Sequence, residues 1–208
     1  MGKKSNFFNR RGVNIDLTHR CPLECPRCMR QLVYRNHGKA VPGEDISSED
    51  FKKVADFFVF IDFEGQYSDP IHHPKFIDFL EICYKNRIET QIHTASSAKP
   101  EKWYRKAFET NPDANWMFSI DGLPNESSKY RINQDGSKLY KIMQESKSYL
   151  RSKPTWQYIV FNYNEQSIDQ AIDMAAESDI NFYLLQSSRW LGQNDPYMPS
   201  KKYRMTPK

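Results

Sequence analysis

Short apolar or β-branched runs alternate along this chain with segments of helical hydrophobic periodicity. The runs predict six strands, at residues 13–17, 57–63, 88–94, 116–120, 156–161 and 182–185. Helical patterns lie between them, for example after the N-cap residue Ser47 and at Pro74 and Pro100. Strands that alternate with helices form parallel βαβ units with right-handed crossovers. The alternation therefore predicts an α/β fold, either a partial barrel or an open doubly wound sheet.

Length and composition favour one globular domain spanning residues 1–208, with an N-terminal extension at 1–10 and a C-terminal tail at 191–208. A chain of 208 residues is long enough to bury a core of its own. Its 38% of hydrophobic and 14% of aromatic residues are typical of a folded protein rather than a disordered or fibrous one.

The distribution of charged and apolar residues argues against two classes of partner. The formal net charge of +4 is small and scattered, so nucleic-acid binding is not indicated. No apolar run approaches the ~20 residues that a transmembrane helix needs, and no apolar signal segment follows Lys3 and Lys4. We therefore expect no membrane partner and a cytoplasmic location.

Three of the four cysteines lie close together, directly after the first predicted strand. Cys21, Cys25 and Cys28 have the spacing C-x3-C-x2-C, which suits metal ligation in a reducing compartment better than a disulfide framework. Three thiolates can each hold one iron of a four-iron cluster. The fourth iron then keeps an open coordination position, as catalysis requires.

A zinc site is the alternative that this spacing leaves open. His19 or His37 could complete a set of three cysteines and one histidine around a zinc ion. The remaining cysteine, Cys83, falls on an apolar helix face, where a small core residue is expected.

The cysteine segment resembles the signature of the radical S-adenosylmethionine (radical SAM) superfamily, in which an aromatic residue usually occupies the position of Arg27. Three further segments are similar to the core of its peptide- and protein-modifying (SPASM/twitch-type) members: 65–74, 119–122 with Tyr130 and Arg131, and 156–160. The resemblance implies a partial (β/α)6 TIM-like barrel, a [4Fe-4S] cluster and S-adenosyl-L-methionine. Because no cysteine follows Cys83, we expect a core domain that lacks the C-terminal auxiliary-cluster domain.

The resemblance also implies which residues contact the cofactors. Cys21, Cys25 and Cys28 would bind the cluster. The predicted S-adenosylmethionine contacts follow three successive strands: Gly65, Gln66, Ser68 and Asp69; Thr94 and Ser96; and Ser119, Asp121 and Arg131. Among them, the glycine-rich segment would receive the amino group of the methionine moiety. Ser119 would approach the ribose, and Arg131 would bind the carboxylate.

The activity implied by the resemblance is reductive cleavage of S-adenosylmethionine followed by abstraction of a hydrogen atom from a substrate. The substrate is unidentified, and a peptide, a protein and a small metabolite are the candidates. A reductant such as flavodoxin or ferredoxin is the expected electron donor. Since six strands leave one side of a barrel open, a large substrate could enter there.

Two other functions stay open. The cysteines could be structural, in a zinc- or cluster-stabilised binding module without catalysis. The superfamily also includes RNA-modifying enzymes, for which a concentrated basic surface and salt-sensitive RNA binding would be expected.

Overall fold

The computed structural model describes residues 11–41, 43–187 and 189–204. The predicted extension at 1–10 and the last four residues of the predicted tail lie outside these ranges. Six parallel strands form one sheet in sequential order: β1 (Gly12–Asn14), β2 (Phe60–Phe63), β3 (Glu89–Thr94), β4 (Asn115–Ser119), β5 (Thr155–Val160) and β6 (Asn181–Gln186). This open α/β sheet is the predicted partial TIM-like barrel.

Helices connect each strand to the next. Two of them, α1 (Met29–His37) and α2 (Ser48–Phe57), lie between β1 and β2, and α3 (Phe76–Lys85), α4 (Glu101–Thr110), α5 (Gly136–Ser146) and α6 (Ile168–Glu177) follow in turn. The predicted cap at Ser47 is confirmed, because its side chain accepts a hydrogen bond from the backbone N–H of Asp50. No helix in the described part of the chain is long and apolar enough to cross a membrane.

The convex face of the sheet, which packs against the helices, carries the hydrophobic core. Aromatic rings dominate the contacts among the helices and between the helices and the sheet. Phe51 of α2 stacks on Phe79 of α3 with ring centroids 4.0 Å apart, and Phe108 of α4 meets Trp116 of β4 edge-on at 4.9 Å. Such pairs add to the stabilisation from buried area alone. Because the core lies on the convex face, the concave face does not need apolar side chains.

The concave face is polar and partly exposed. The strand register aligns Asn14, Asp62, Gln91 and Asn115 in one row across β1 to β4. In a closed (β/α)8 barrel, bulky branched side chains fill the corresponding interior. Here the face offers carboxylate, amide and imidazole groups to a ligand instead.

Two predicted elements differ from the structure. The prediction of one doubly covered strand at residues 57–63 is wrong, because Phe57 ends α2 and the concave side of β2 is partly exposed at Phe60 and Asp62. The first strand is shorter than residues 13–17, since the chain leaves the sheet after Asn14. Helix α1 was not predicted: its apolar residues Met29, Leu32 and Val33 cover only about one turn, and the helix buries no residue.

Truncating a core ring should test the importance of the convex face. We expect Phe108→Ala to lower the free energy of unfolding by about 3–5 kcal/mol, because a fully buried ring is lost and a cavity remains. Glu109→Ala, at an exposed position of the same helix, should change it by less than about 0.5 kcal/mol. Urea denaturation measures both values, and equal losses in the two variants would contradict this account of the core.

Candidate functional site

A cavity of about 350 Å³ lies where the sheet meets the cysteine loop. The three clustered cysteines line it, together with residues from the concave face and from the loops that follow β2, β4 and β6. Loops after the C-terminal ends of parallel strands are where folds of this class build their ligand sites. The cavity is therefore the candidate active site.

Neighbouring loops hold the cysteine loop, which has no regular structure until α1 begins. The backbone N–H of Asp69, after β2, donates to the carbonyl of Arg20 at 3.0 Å. The side-chain amide of Asn133, after β4, donates to the carbonyl of Pro22 at 3.1 Å. These bonds satisfy backbone groups that an irregular loop would otherwise leave unpaired. They also fix the thiols relative to the sheet.

The arrangement of the thiols does not suit a closed zinc site. Two thiolates on one tetrahedral zinc lie about 3.8 Å apart, given a zinc–sulfur bond of about 2.3 Å. Among the described residues, the cysteines and the two histidines near them form no group of three ligand atoms that all lie within 4.8 Å of one another. Each thiolate of a four-iron cluster binds a different iron, so wider spacing fits a cluster better.

Burial keeps two of the three thiols in their neutral form until a metal binds. Burial raises the pKa of Cys21 to about 12, with a smaller contribution from the nearby charge of Asp69. Burial likewise raises the pKa of Cys25 to about 11, although Arg131 opposes the shift. A bound cluster would supply the positive charge that stabilises the thiolates in this environment.

The carboxylate of Asp69 ties the loop after β2 to the loop after β3. It accepts hydrogen bonds from the backbone N–H groups of Ala95 and Ser96 at 2.9 Å and from the hydroxyl of Thr94 at 3.0 Å. Asp69 and Thr94 both line the cavity. Because they bond to each other, their side chains shape the cavity wall and have little remaining capacity for a ligand.

The glycine-rich segment after β2 is held by Asp16. The carboxylate of Asp16 accepts from the backbone N–H of Gln66 at 3.0 Å and from the hydroxyl of Ser68 at 2.8 Å. Gly65 is required here, since a Cβ at this position would collide with the carbonyl oxygen of Ser68. The segment thus presents its backbone directly to the cavity.

A buried ion pair orients Arg131. Its Nε donates to the carboxylate of Asp121 at 2.7 Å, and the backbone N–H of Ile159 holds the other carboxylate oxygen at 2.8 Å. Burial opposes the charge on Arg131, but the adjacent Asp121 raises its pKa above the ordinary value. The Nη atoms of Arg131 bond to none of the residues that the structure describes, so they are available to an anionic ligand.

The structure brings most of the predicted contact residues to the cavity, but not all of them. Those that line it are Cys21, Cys25, Cys28, Gly65, Gln66, Ser68, Asp69, Thr94, Ser119 and Arg131. Ser96 and Asp121 do not: Ser96 bonds to His72 at 2.8 Å, and Asp121 is fully buried behind Arg131. The hydroxyl of Ser119 bonds to none of the described residues and is free to meet a ligand.

Sequence reasoning missed several cavity residues. Gln157 lines the cavity, and the alternation along β5 could have revealed it, because it faces away from the buried Trp156. Arg27 lies in the cavity wall and pairs with Asp195 at 2.7 Å, a contact that no local pattern indicates. Arg189 reaches Gln66 at 2.9 Å from the segment after β6.

His93 also lines the cavity, on the concave face of β3. Its Nδ1 lies 3.0 Å from Oε1 of Gln157, and its Nε2 lies 3.3 Å from Oδ1 of Asp62. Burial alone would lower the pKa of His93, but the hydrogen bond and charge of Asp62 raise it above the ordinary value. This part of the cavity therefore favours positive charge.

Comparison with solved structures identifies the fold. SuiB from Streptococcus suis superposes with a TM-score of 0.66 at 15% identity, over 96% of this chain and 42% of SuiB. Methylornithine synthase (PylB) gives 0.65 at 14% identity, over 95% of this chain and 60% of its own. The enzyme anSMEcpe with bound AdoMet gives 0.68 at 15% identity, over 93% of this chain and 55% of its own.

These structural neighbours are radical SAM enzymes, and this chain has the fold of their core. It spans between 42% and 60% of their lengths. No protein-family model matches the sequence, and none of the curated proteins matches it. TM-scores of 0.65 to 0.68 establish the shared fold at identities near 15%, and the residues of the cavity must carry any argument about activity.

Neutralising Asp69 should test its role as the connection between loops. We expect Asp69→Asn to lower the free energy of unfolding by about 1–3 kcal/mol, because a neutral amide oxygen accepts from the N–H groups of Ala95 and Ser96 more weakly than the charged carboxylate does. Asp56→Asn, at an exposed position of α2, is the matched control and should have little effect. Urea denaturation of both variants decides the question, and a stable Asp69→Asn protein would refute this role.

Proposed function

We propose that this chain is a radical SAM enzyme whose [4Fe-4S] cluster is held by Cys21, Cys25 and Cys28. In this proposal it cleaves S-adenosylmethionine reductively and removes a hydrogen atom from a peptide, a protein or a small metabolite. One observation carries the proposal: three cysteines line a cavity in the fold of radical SAM enzymes, and no fourth cysteine among the described residues lines it. When bound, the cluster and S-adenosylmethionine would supply the one-electron chemistry, which no side chain can provide.

Residues of this chain can hold three parts of S-adenosylmethionine: its carboxylate, its ribose and its amino group. The Nη atoms of Arg131 suit its carboxylate, because a planar guanidinium binds a carboxylate in two places. The hydroxyl of Ser119 suits the ribose, and the exposed backbone around Gly65 and Gln66 suits the amino group. Asp121 takes part indirectly, since it fixes the guanidinium of Arg131.

The segment after β6 limits access to the cysteine loop. Asp195 pairs with Arg27 at 2.7 Å, and the guanidinium of Arg27 also lies 5.2 Å from the ring centroid of Tyr197. Together with the contact between Arg189 and Gln66, these bonds close one side of the cavity. A closed wall excludes water and positions the substrate, which reactive radical chemistry needs.

A peptide substrate is consistent with what binds two of the structural neighbours. SuiB has been solved with the precursor peptide SuiA, and anSMEcpe with the Kp18Cys peptide. In this chain the polar concave face and the open edge of the sheet leave room for an extended ligand. We further propose a cytoplasmic location, with flavodoxin or ferredoxin as the electron donor.

The proposed cluster predicts cysteine-dependent cleavage of S-adenosylmethionine. After anaerobic reconstitution with iron and sulfide, the wild-type protein should bind about four irons per chain and form 5′-deoxyadenosine when reduced. Cys25→Ala should lose both properties, whereas Cys83→Ala, at a buried position in the core, should keep both. One tightly held zinc ion and no deoxyadenosine in the wild type would instead indicate a structural metal site.

The proposed ribose contact predicts a measurable loss of affinity. Ser119→Ala should weaken the binding of S-adenosylmethionine to the reconstituted protein by about 2- to 10-fold, the value of one ordinary hydrogen bond. Ser146→Ala, buried in α5, is the control and should leave the affinity unchanged. Isothermal titration under anaerobic conditions measures both, and an unchanged affinity in Ser119→Ala would remove this residue from the site.

A further inference from the structure

Three potential metal ligands converge on the concave face, away from the cysteine loop in sequence. Asp62 is on β2, Glu64 follows that strand directly, and His93 is on the adjacent β3. One ligand atom from each lies within 4.8 Å of the other two. Glu64 and His93 line the cavity.

Two glutamines contact the ring nitrogens of His93 and orient its imidazole. Oε1 of Gln157 lies 3.0 Å from Nδ1 and can accept its proton in a hydrogen bond. The side-chain nitrogen of Gln91 lies 2.8 Å from Nε2, so a cation that binds Nε2 would displace this amide. A metal-binding histidine typically donates its other N–H to an acceptor in this way.

One carboxylate oxygen beside this ring nitrogen has no hydrogen-bond donor while the imidazole is neutral. Oδ1 of Asp62 is buried, and Nε2 of His93, 3.3 Å away, can pair with it only when the imidazole is protonated. The side-chain amide of Asn14 donates to Glu64 at 3.1 Å and to the other oxygen of Asp62 at 3.5 Å. Asn14 thus holds the two carboxylates side by side.

The described part of the chain supplies no permanent positive charge to this group. No lysine or arginine within residues 11–41, 43–187 and 189–204 forms an ion pair with Asp62 or Glu64. Two neighbouring carboxylates and a lone pair repel one another unless a cation lies between them. The convergence of three ligand atoms and the unpaired oxygen of Asp62 are two signs of a cation site, since only protonation of His93 would otherwise offset the two carboxylates.

We propose that Asp62, Glu64 and His93 bind a divalent transition-metal cation of the Mn²⁺, Fe²⁺ or Zn²⁺ class. Carboxylates suit Mn²⁺, and imidazole extends the choice to Fe²⁺ and Zn²⁺. Three protein ligands leave coordination positions that face the cavity, where a substrate oxygen or nitrogen could bind the metal. The site needs none of the three clustered cysteines, so it is independent of the proposed radical chemistry.

The test uses Mn²⁺ as the probe, because this hard cation prefers oxygen and nitrogen over thiolate ligands. Electron paramagnetic resonance should follow a titration of the full-length protein and detect one bound Mn²⁺ per chain. Asp62→Asn, Glu64→Gln and His93→Gln should each weaken binding at least about 10-fold. Glu49→Gln, an exposed acid on α2, and Cys25→Ala should bind Mn²⁺ as the wild type does.

A thermal denaturation measurement covers variants that fail to fold. Mn²⁺ should raise the melting temperature of the wild-type protein, because it binds the folded state preferentially. No binding at Mn²⁺ concentrations up to about 1 mM would overturn the proposal, since that is the weak end of protein cation sites. Equal binding in all three variants would also overturn it. Binding of n-butylammonium without binding of Mn²⁺ would overturn the proposal as well, because the site would then hold a cationic group of the substrate.

Discussion

The hydrogen bonds of Asp69 hold together the loops on which the rest of the site depends. Its backbone N–H reaches the cysteine loop at Arg20, and its carboxylate reaches Ala95 and Ser96 after β3. Gln134 continues the chain of contacts, because its side-chain amide donates to the carbonyl of Ser119 at 2.9 Å. Irregular loops have no ladder to satisfy their backbone groups, so buried side chains must do so. Together these bonds fix the positions of the cysteine loop, the cavity wall and Arg131 relative to one another.

The convex face of the sheet stabilises the fold, and the concave face carries polar groups. The convex face buries interlocking aromatic rings such as Trp116 and Phe108, and this packing stabilises the fold. The concave face bears Asp62, Gln91 and His93 and contributes little to the core. Because packing on the convex face stabilises the fold, the concave face can carry polar groups. In the described part of the chain β1 and β6 do not pair with each other, so the sheet is open between them.

The sequence was informative where structure follows from local patterns. Alternating periodicities predicted six strands, and the cysteine spacing predicted a metal-binding loop that forms one wall of the cavity. Contacts between distant positions could not be predicted from the sequence. For example, Arg27 and Asp195 are 168 positions apart, and no local pattern links them. Asp121 shows a further limit. Its place after β4 is correct, yet whether an aspartate faces a ligand or an arginine depends on the fold of the intervening loop.

The cavity therefore lies beside two sets of potential metal ligands, thiols and carboxylates, that prefer different metals. The thiols of Cys21 and Cys25 are soft donors whose burial raises their pKa, so a thiophilic metal centre must bind to ionise them. Glu64 offers hard oxygens in the same cavity, and Asp62 lies beside it without lining the cavity. Ligand softness alone would direct iron–sulfur chemistry to the loop and a hard divalent cation to the concave face. A substrate lying between them would meet the radical source on one side and a charged anchor on the other.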